Sequence, residues 1–413
     1  PADRPSNRAR PGDQSRREPP VNPQLILRQT WALFVDAYRE LNARKLFWIT
    51  MILSGLVVGI FAALGISDRG ISIFGWHPAF LAQVTTDVIA PSVFYKGMFA
   101  NLGIGLWLTW IATILALIST AGLIPELITG GSIETMLSKP IGRLRLFLTK
   151  YLTGLLFVAL QVAVFSAGSF LVIGIRGGVW EPAIFLAIPI VVVFFSYLFS
   201  VCALLGLVTR STIAALLLTS LCWAMLFVVN LADQTLVFLE TNQRLIIEER
   251  EDRLELMERN AVRLAQIREH DSVEAAEAAG YTPTPEDLAS ANPFVGTQRS
   301  LLESDRESLD DLSFWTGLVV GLKTALPKTS ETTALLERNL IDLSELPQPD
   351  EDAPVELELT QANQDIVVDD EELSFAVQER LRSRSVWWIV GTSLIFEGVI
   401  LAIAGLIFAR RDF

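Results

Sequence analysis

Residues 125–150 read PELITGGSIETMLSKPIGRLRLFLTK and stand between two long apolar runs. Charges are concentrated here, at Glu126, Glu134, Lys139, Arg143, Arg145 and Lys150. Gly130-Gly131 breaks the chain, and Ser132 follows as an N-cap with Glu134 in the first turn. Pro140 disfavours helix at Lys139 and forces a second turn. The pattern predicts a compact amphipathic helix over 133–138, held between two bends. A plain solvated loop would carry much the same composition. Either way, a polar reversal between two bilayer-length apolar runs makes this a helical membrane chain.

Composition agrees. Of 413 residues, 51% are hydrophobic, and the mean hydropathy of +0.43 is too high for a soluble globular protein of this size. The net charge of −13 hides a division. Residues 233–385 hold 34 acids and 14 bases, so the rest of the chain is basic. The chain therefore reads as a basic membrane body with an acidic insert, and nothing in it suggests a nucleic-acid partner. Cys202 and Cys222 both lie in apolar runs and read as small packing residues. His77 and His270 are far apart, which leaves no histidine cluster for zinc or triad chemistry.

Six apolar runs reach the roughly 20 residues needed to cross a bilayer. They lie near 46–65, 99–124, 151–175, 182–208, 212–232 and 386–409. Residues 1–22 read as a disordered tail. No signal-peptide pattern precedes the first run. Residues 23–45 carry one apolar stripe, Leu27, Trp31, Phe34, Tyr38 and Leu41, and read as an interfacial helix on the bilayer. Short loops set the orientation. Arg28, Arg39, Arg44, Lys45, Lys139, Arg143, Arg145, Lys150, Arg210, Arg410 and Arg411 fall on one side, with only Arg69, Lys96 and Arg176 opposite. That bias predicts cytoplasmic termini. Arg380, Arg382 and Arg384 run against it, but they end a long translocated segment, where the rule weakens.

Residues 312–326, LSFWTGLVVGLKTAL, are a rival seventh span. They are short, contain Lys323 and are closed by Pro327, so a re-entrant or surface-lying helix is expected. Gly317-x-x-x-Gly321-Leu322-Lys323 only echoes a phosphate loop, because its glycines are too close and Leu322 intervenes. Within 233–385, Leu254, Met257, Ala261, Leu264 and Ile267 form a stripe for a partner helix. Thr282-Pro283-Thr284-Pro285 stops it, and 345–358 reads as a flexible acidic tract. This insert reads either as an inert solvated loop or as a helical cap that meets a twin subunit, a substrate or an accessory protein. Gly55-x-x-x-Gly59 would permit close helix contact. Glu397 is the anomaly of the last span. A charged acid there costs about 2.5–3.5 kcal/mol on insertion scales, so the carboxyl is expected to be neutral or turned to a polar partner within the bundle.

The string Gly131-x-x-Glu134-x-x-Leu137-Ser138-Lys139-Pro140-Ile141-x-Arg143, followed by Lys150, resembles the intracellular loop of type-2 ABC exporter permeases. A Trp-led last span running into Phe408-Ala409-Arg410-Arg411-Asp412-Phe413, and the N-terminal helix, share the likeness. The resemblance covers the membrane part and not the insert. The apolar runs and the charge bias together predict an all-α fold: five membrane helices in 46–232, an extracytoplasmic loop domain over 233–385, and a sixth helix with a cytoplasmic end over 386–413. The resemblance implies a transport subunit driven by a separate ATPase. It further implies docking of the 125–150 loop on a separate ATP-binding cassette subunit, which would hold the ATP and Mg, and pairing with a second permease as a homodimer in the lipid of the cytoplasmic membrane. No catalytic residue, cofactor or metal is expected in this chain. A different class, a non-transporting anchor or scaffold whose acidic domain binds a partner, also fits the composition. An intramembrane hydrolase lacks paired His, a Ser elbow and a metal cluster.

Overall fold

The computed structural model describes residues 45–78, 91–129, 142–340 and 368–410, with single positions at 35, 39, 42, 85, 86, 89, 90 and 366. The tail 1–22, most of 23–45, the 131–140 part of the loop with Gly131, Glu134, Leu137, Lys139 and Pro140, and the tract 345–358 lie outside the described residues. The fold is mostly helical, and six helices are long and apolar enough to cross a membrane. They are α1 (Lys45–Ala63), α2 (Pro91–Thr120), α4 (Arg143–Arg176), α5 (Pro182–Thr209), α6 (Thr212–His270) and α12 (Trp387–Arg410). The short α3 (Pro125–Thr129) follows α2.

Six crossings put Lys45 and Arg410 at one end of the bundle, together with α3 and the tight α5–α6 link. In that link Arg210 takes the left-handed conformation (φ 54°) and ends α5. Ser211 then caps α6 by accepting from the Ala214 amide at 3.3 Å. Aromatic rings from several helices fill the core: Phe47 meets Phe157 at 5.4 Å, Phe61 meets Phe165 at 6.1 Å, and Phe195 stacks on Phe199 at 5.5 Å. At Gly154 a Cβ would come within 2.4 Å of the Phe199 ring, so only glycine lets α4 and α5 close up there.

The structure departs from the sequence reading at four points. The second span begins at Pro91 rather than 99, and Phe99–Ala112 is wound as a π-helix. A two-stranded hairpin, β1 (Leu64–Ser67) with β2 (Gly70–Ile73), caps the far end of α1 in an otherwise helical fold. The helix of the fifth span does not stop with its apolar run near 232: α6 continues for 59 residues in all without a break, because nothing between Leu231 and His270 is a helix breaker. Residues 312–325 are not a separate short helix. They form the second half of the straight helix α9 (Phe294–Ala325), which packs antiparallel on α6.

The α6–α9 hairpin has its own small core of Ile247, Leu254, Ala261, Val295 and Leu302. Of the expected stripe, Leu254 and Ala261 are buried and Met257 packs beside them, while Leu264 and Ile267 face outward. Ion pairs cross the seam: Arg250 to Asp305 at 2.7 Å, Arg299 to Glu258 at 2.6 Å and Arg306 to Glu251 at 2.7 Å. The tip holds α7 (Val273–Ala278) and α8 (Pro285–Ala291), the latter opened by a capping box between Thr284 and Asp287.

Past α9 the chain turns into the bundle at Leu326, Pro327 and Lys328. It climbs out again as α10 (Thr329–Leu340), whose Leu336 and Leu340 join the main core. The piece that dips into the bundle is therefore α10 and its lead-in, which begin where the segment the hydropathy singled out ends. Finally α11 (Asp370–Arg382) lies beside α6 and leads into α12.

Candidate functional site

Two polar clusters lie in and just above the bundle, joined by the dip of α10. The deeper one surrounds Glu397 on α12, which is 8% exposed. Its Oε1 accepts from the Tyr151 hydroxyl on α4 at 2.8 Å, and its Oε2 from the Ser196 hydroxyl on α5 at 2.7 Å. Each hydroxyl also has a backbone carbonyl in reach: Ser196 O for Tyr151 at 3.0 Å, and Val193 O for Ser196 at 2.8 Å. Tyr151 is held in place by stacking on Phe199 at 5.1 Å. The carboxyl that looked costly in the sequence therefore ties three spans together.

One turn along α12, Ser393 Oγ accepts from the Lys328 backbone amide at 2.9 Å and fixes the bottom of the dip. Lys328 is 1% exposed, and its Nζ donates to Thr392 Oγ1 at 2.5 Å and to Leu326 O at 3.3 Å. The ammonium lies 4.4 Å from the centroid of the Trp388 ring. Burial pushes the Lys328 pKa down to about 8; Glu331 opposes this and Lys323 adds to it.

The upper cluster gathers three helices and the link between α11 and α12 at the mouth of the bundle. Asp233 of α6, 1% exposed, accepts from Lys323 Nζ of α9 at 2.7 Å and from Arg384 at 2.7 and 2.9 Å. Lys323 also meets Asn230 Oδ1 at 3.0 Å and Glu331 of α10, and Arg384 reaches Glu331 at 3.2 Å. Two acids and two bases thus neutralise one another with nearly every donor placed, which is what burying them requires. Next to it, Glu240 accepts from Arg380 at 2.6 Å and Arg244 at 2.9 Å. A cavity of about 240 Å³ opens beside the cluster, lined in part by Asp233, Glu331, Arg338 and Arg384.

The sequence singled out Glu397 but none of its partners, and it noted Lys323 and Arg384 only as obstacles to other assignments. At the opposite end, Arg143 reaches the Ala409 carbonyl of α12 at 3.5 Å, which ties the start of α4 to the chain's last span. Lys150 is part-buried two turns along α4. The structure does not bring Arg143 or Lys150 to Glu397's partners, apart from Tyr151 following Lys150 in sequence. At Gly55 and Gly59 an added Cβ would meet nothing within 4 Å, so this pair makes no close helix contact within the described chain. Gly317 and Gly321 lie inside α9, so their segment is helix and not a phosphate-binding turn.

Six apolar crossings with a polar interior define a multi-pass membrane protein. No protein-family description, curated protein or solved structure matches the chain.

Proposed function

We propose that this chain is the membrane-spanning subunit of an ABC-type exporter, moving its substrate across the cytoplasmic membrane with ATP hydrolysed by a separate subunit. The observation that carries this reading is the loop sequence between α3 and α4, at the bundle end that also holds the last residues of α12. Arg143 ends that loop and contacts Ala409, so force on the loop would be passed to α4 and α12 together. Those are two of the three helices joined at Glu397. In this reading both termini are cytoplasmic, the α6–α9 hairpin is extracytoplasmic and open to an accessory protein, and a second copy completes the pore. ATP and Mg sit on the partner.

The test is the pair Glu134→Lys with Arg143→Glu. The double variant is expected to insert normally, lose its copurifying ATP-binding subunit and lose transport. Normal transport with the subunit still attached would end the docking assignment. The rival reading, a non-transporting scaffold, draws support from the hairpin's outward Phe314 and Trp315, which are 64% and 55% exposed. Under that reading the hairpin alone would retain the partner, whatever is done to the loop.

A further inference from the structure

A second, larger hollow lies at the hairpin end of the bundle, and none of the roles above uses it. It measures about 690 Å³ and is open on one side. Its wall is apolar: Leu64 and Ile71 of the β-hairpin, then Val93, Phe94, Met98 and Leu102 of α2. Its rim is polar, with Glu337 of α10 and Gln378 and Arg382 of α11. The same three rim residues also line the 240 Å³ cavity, so the hollow continues toward the Asp233 cluster.

Three observations select the occupant. From Val93 to Leu102 the wall follows α2 for ~14 Å at 1.5 Å per residue, so the hollow is a groove along a membrane-crossing helix. Below Lys96, whose ion pair with Glu181 sets the polar level on the same helix, the groove faces hydrocarbon rather than water, and the molecules present there at highest concentration are acyl chains. Trp76 after the β-hairpin and Trp180 between α4 and α5, both at the hairpin end of the bundle, are 69% and 54% exposed, as aromatic side chains stand where bilayer meets water. The Lys96–Glu181 ion pair at 3.3 Å marks the same level. Finally, among the described residues the charged groups on the rim are one acid and one base, Glu337 and Arg382. That pairing matches a headgroup carrying an ammonium and a phosphate, and it gives a purely anionic head one repulsive neighbour.

We propose that this groove binds a zwitterionic membrane phospholipid, with an acyl chain along Gly97–Leu102, its phosphate toward Arg382 and its ammonium toward Glu337. The convex outer face of α1, with Ile52, Leu56 and Ile60 exposed, has no such rim and serves as the lipid-contact control. Gly97 lines the groove, and a Cβ there would meet nothing within 4 Å. Gly97→Phe therefore fills the groove without pushing on the fold.

The test uses the full chain in nanodiscs, with phosphatidylethanolamine carrying a photoactivatable diazirine in one acyl chain, and maps the labelled peptides. Label is expected to concentrate on 97–102, well above α1. Gly97→Phe should lower it there at least fivefold and leave α1 labelling unchanged. Leu102→Trp, at a side chain already 45% exposed, should have the same effect by an independent route. The equivalent phosphatidylglycerol probe should label the groove several-fold less, and Glu337→Gln should narrow that difference. Equal labelling of α1 and α2, or labelling indifferent to both filling substitutions, would reduce the groove to ordinary annular contact and overturn the proposal. Equal labelling of the parent by both probes would overturn the headgroup assignment. The readout needs neither ATP nor a partner subunit, so its outcome is independent of the exporter reading.

Discussion

At the scale of single residues, Glu397 separates a tie from a working group. Replacing it with Gln keeps an acceptor for one of the two hydroxyls and sets an amide donor against the other, which can turn to its backbone carbonyl, so Glu397→Gln should unfold within about 1 kcal/mol of the parent and transport at the parent rate. Glu397→Leu removes two hydrogen bonds between spans. Because both hydroxyls keep a carbonyl to fall back on, the loss should be limited to about 1–3 kcal/mol in detergent unfolding. A Gln variant that folds but does not transport would instead show the carboxyl acting on protons or cargo. Lys323 is a harsher case. Lys323→Met leaves Asp233 buried against one remaining cation, and breaking a buried pair in this way should cost about 3–5 kcal/mol. Lys328 predicts a pH dependence. Its folded pKa, near 8, is below that of the unfolded side chain, so the unfolded state binds more protons between the two values. Stability should therefore rise as pH increases from about 8 to 10, and Lys328→Met should flatten that rise in a thermal melt.

Among the elements, α10 is the one the sequence conceals. Hydropathy points to 312–326, yet only Lys323 of that segment is buried, while Thr329, Thr332, Leu335 and Leu336 of the polar-looking α10 are. The reason is that α10 dips into protein and not lipid. Its threonines turn back on their own carbonyls, Thr332 to Lys328 at 2.7 Å and Thr333 to Ser330 at 2.9 Å, so they need no apolar neighbours to be buried. Leu336→Ala, at a fully buried site, should cost about 2–5 kcal/mol, more than Leu318→Ala on the exposed face of α9. Comparing the two unfolding midpoints checks which segment belongs to the core. The five other apolar crossings were legible because lipid demands near-continuous apolar runs. The end of α6 was not: a change from apolar to charged residues alters what surrounds a helix without stopping it, and the stop comes at Asp271 with its left-handed φ of 60°.

For the whole molecule, the upper ionic cluster explains why half of the candidate site could not be read in order along the chain. Asp233 and Lys323 are 90 residues apart, and Asp233 and Arg384 are 151 apart. Each looks like an isolated charge at the edge of an apolar run until the fold folds them together. Arg384, which argued against the orientation, is held by Asp233 and Glu331 and so is not a freely placed loop charge. The orientation itself can be checked directly. With Cys202 and Cys222 replaced by Ala, a cysteine at Ser300, exposed on α9, should react with an impermeant maleimide in intact cells. Reaction only after permeabilisation would reverse the sidedness and place the α6–α9 hairpin in the cytoplasm.

Because α6 is unbroken, its membrane half and its hairpin half cannot tilt separately. At 1.5 Å per residue, His270 stands ~55 Å beyond Asp233, so a swing of ~5° about the ionic cluster carries the tip sideways by ~5 Å. The cluster is then a fulcrum, and α6 a lever arm whose longer side amplifies small rearrangements among the spans. Lengthening or shortening that arm by whole turns of helix, in register with α9, would change the stroke at the tip without touching the pivot.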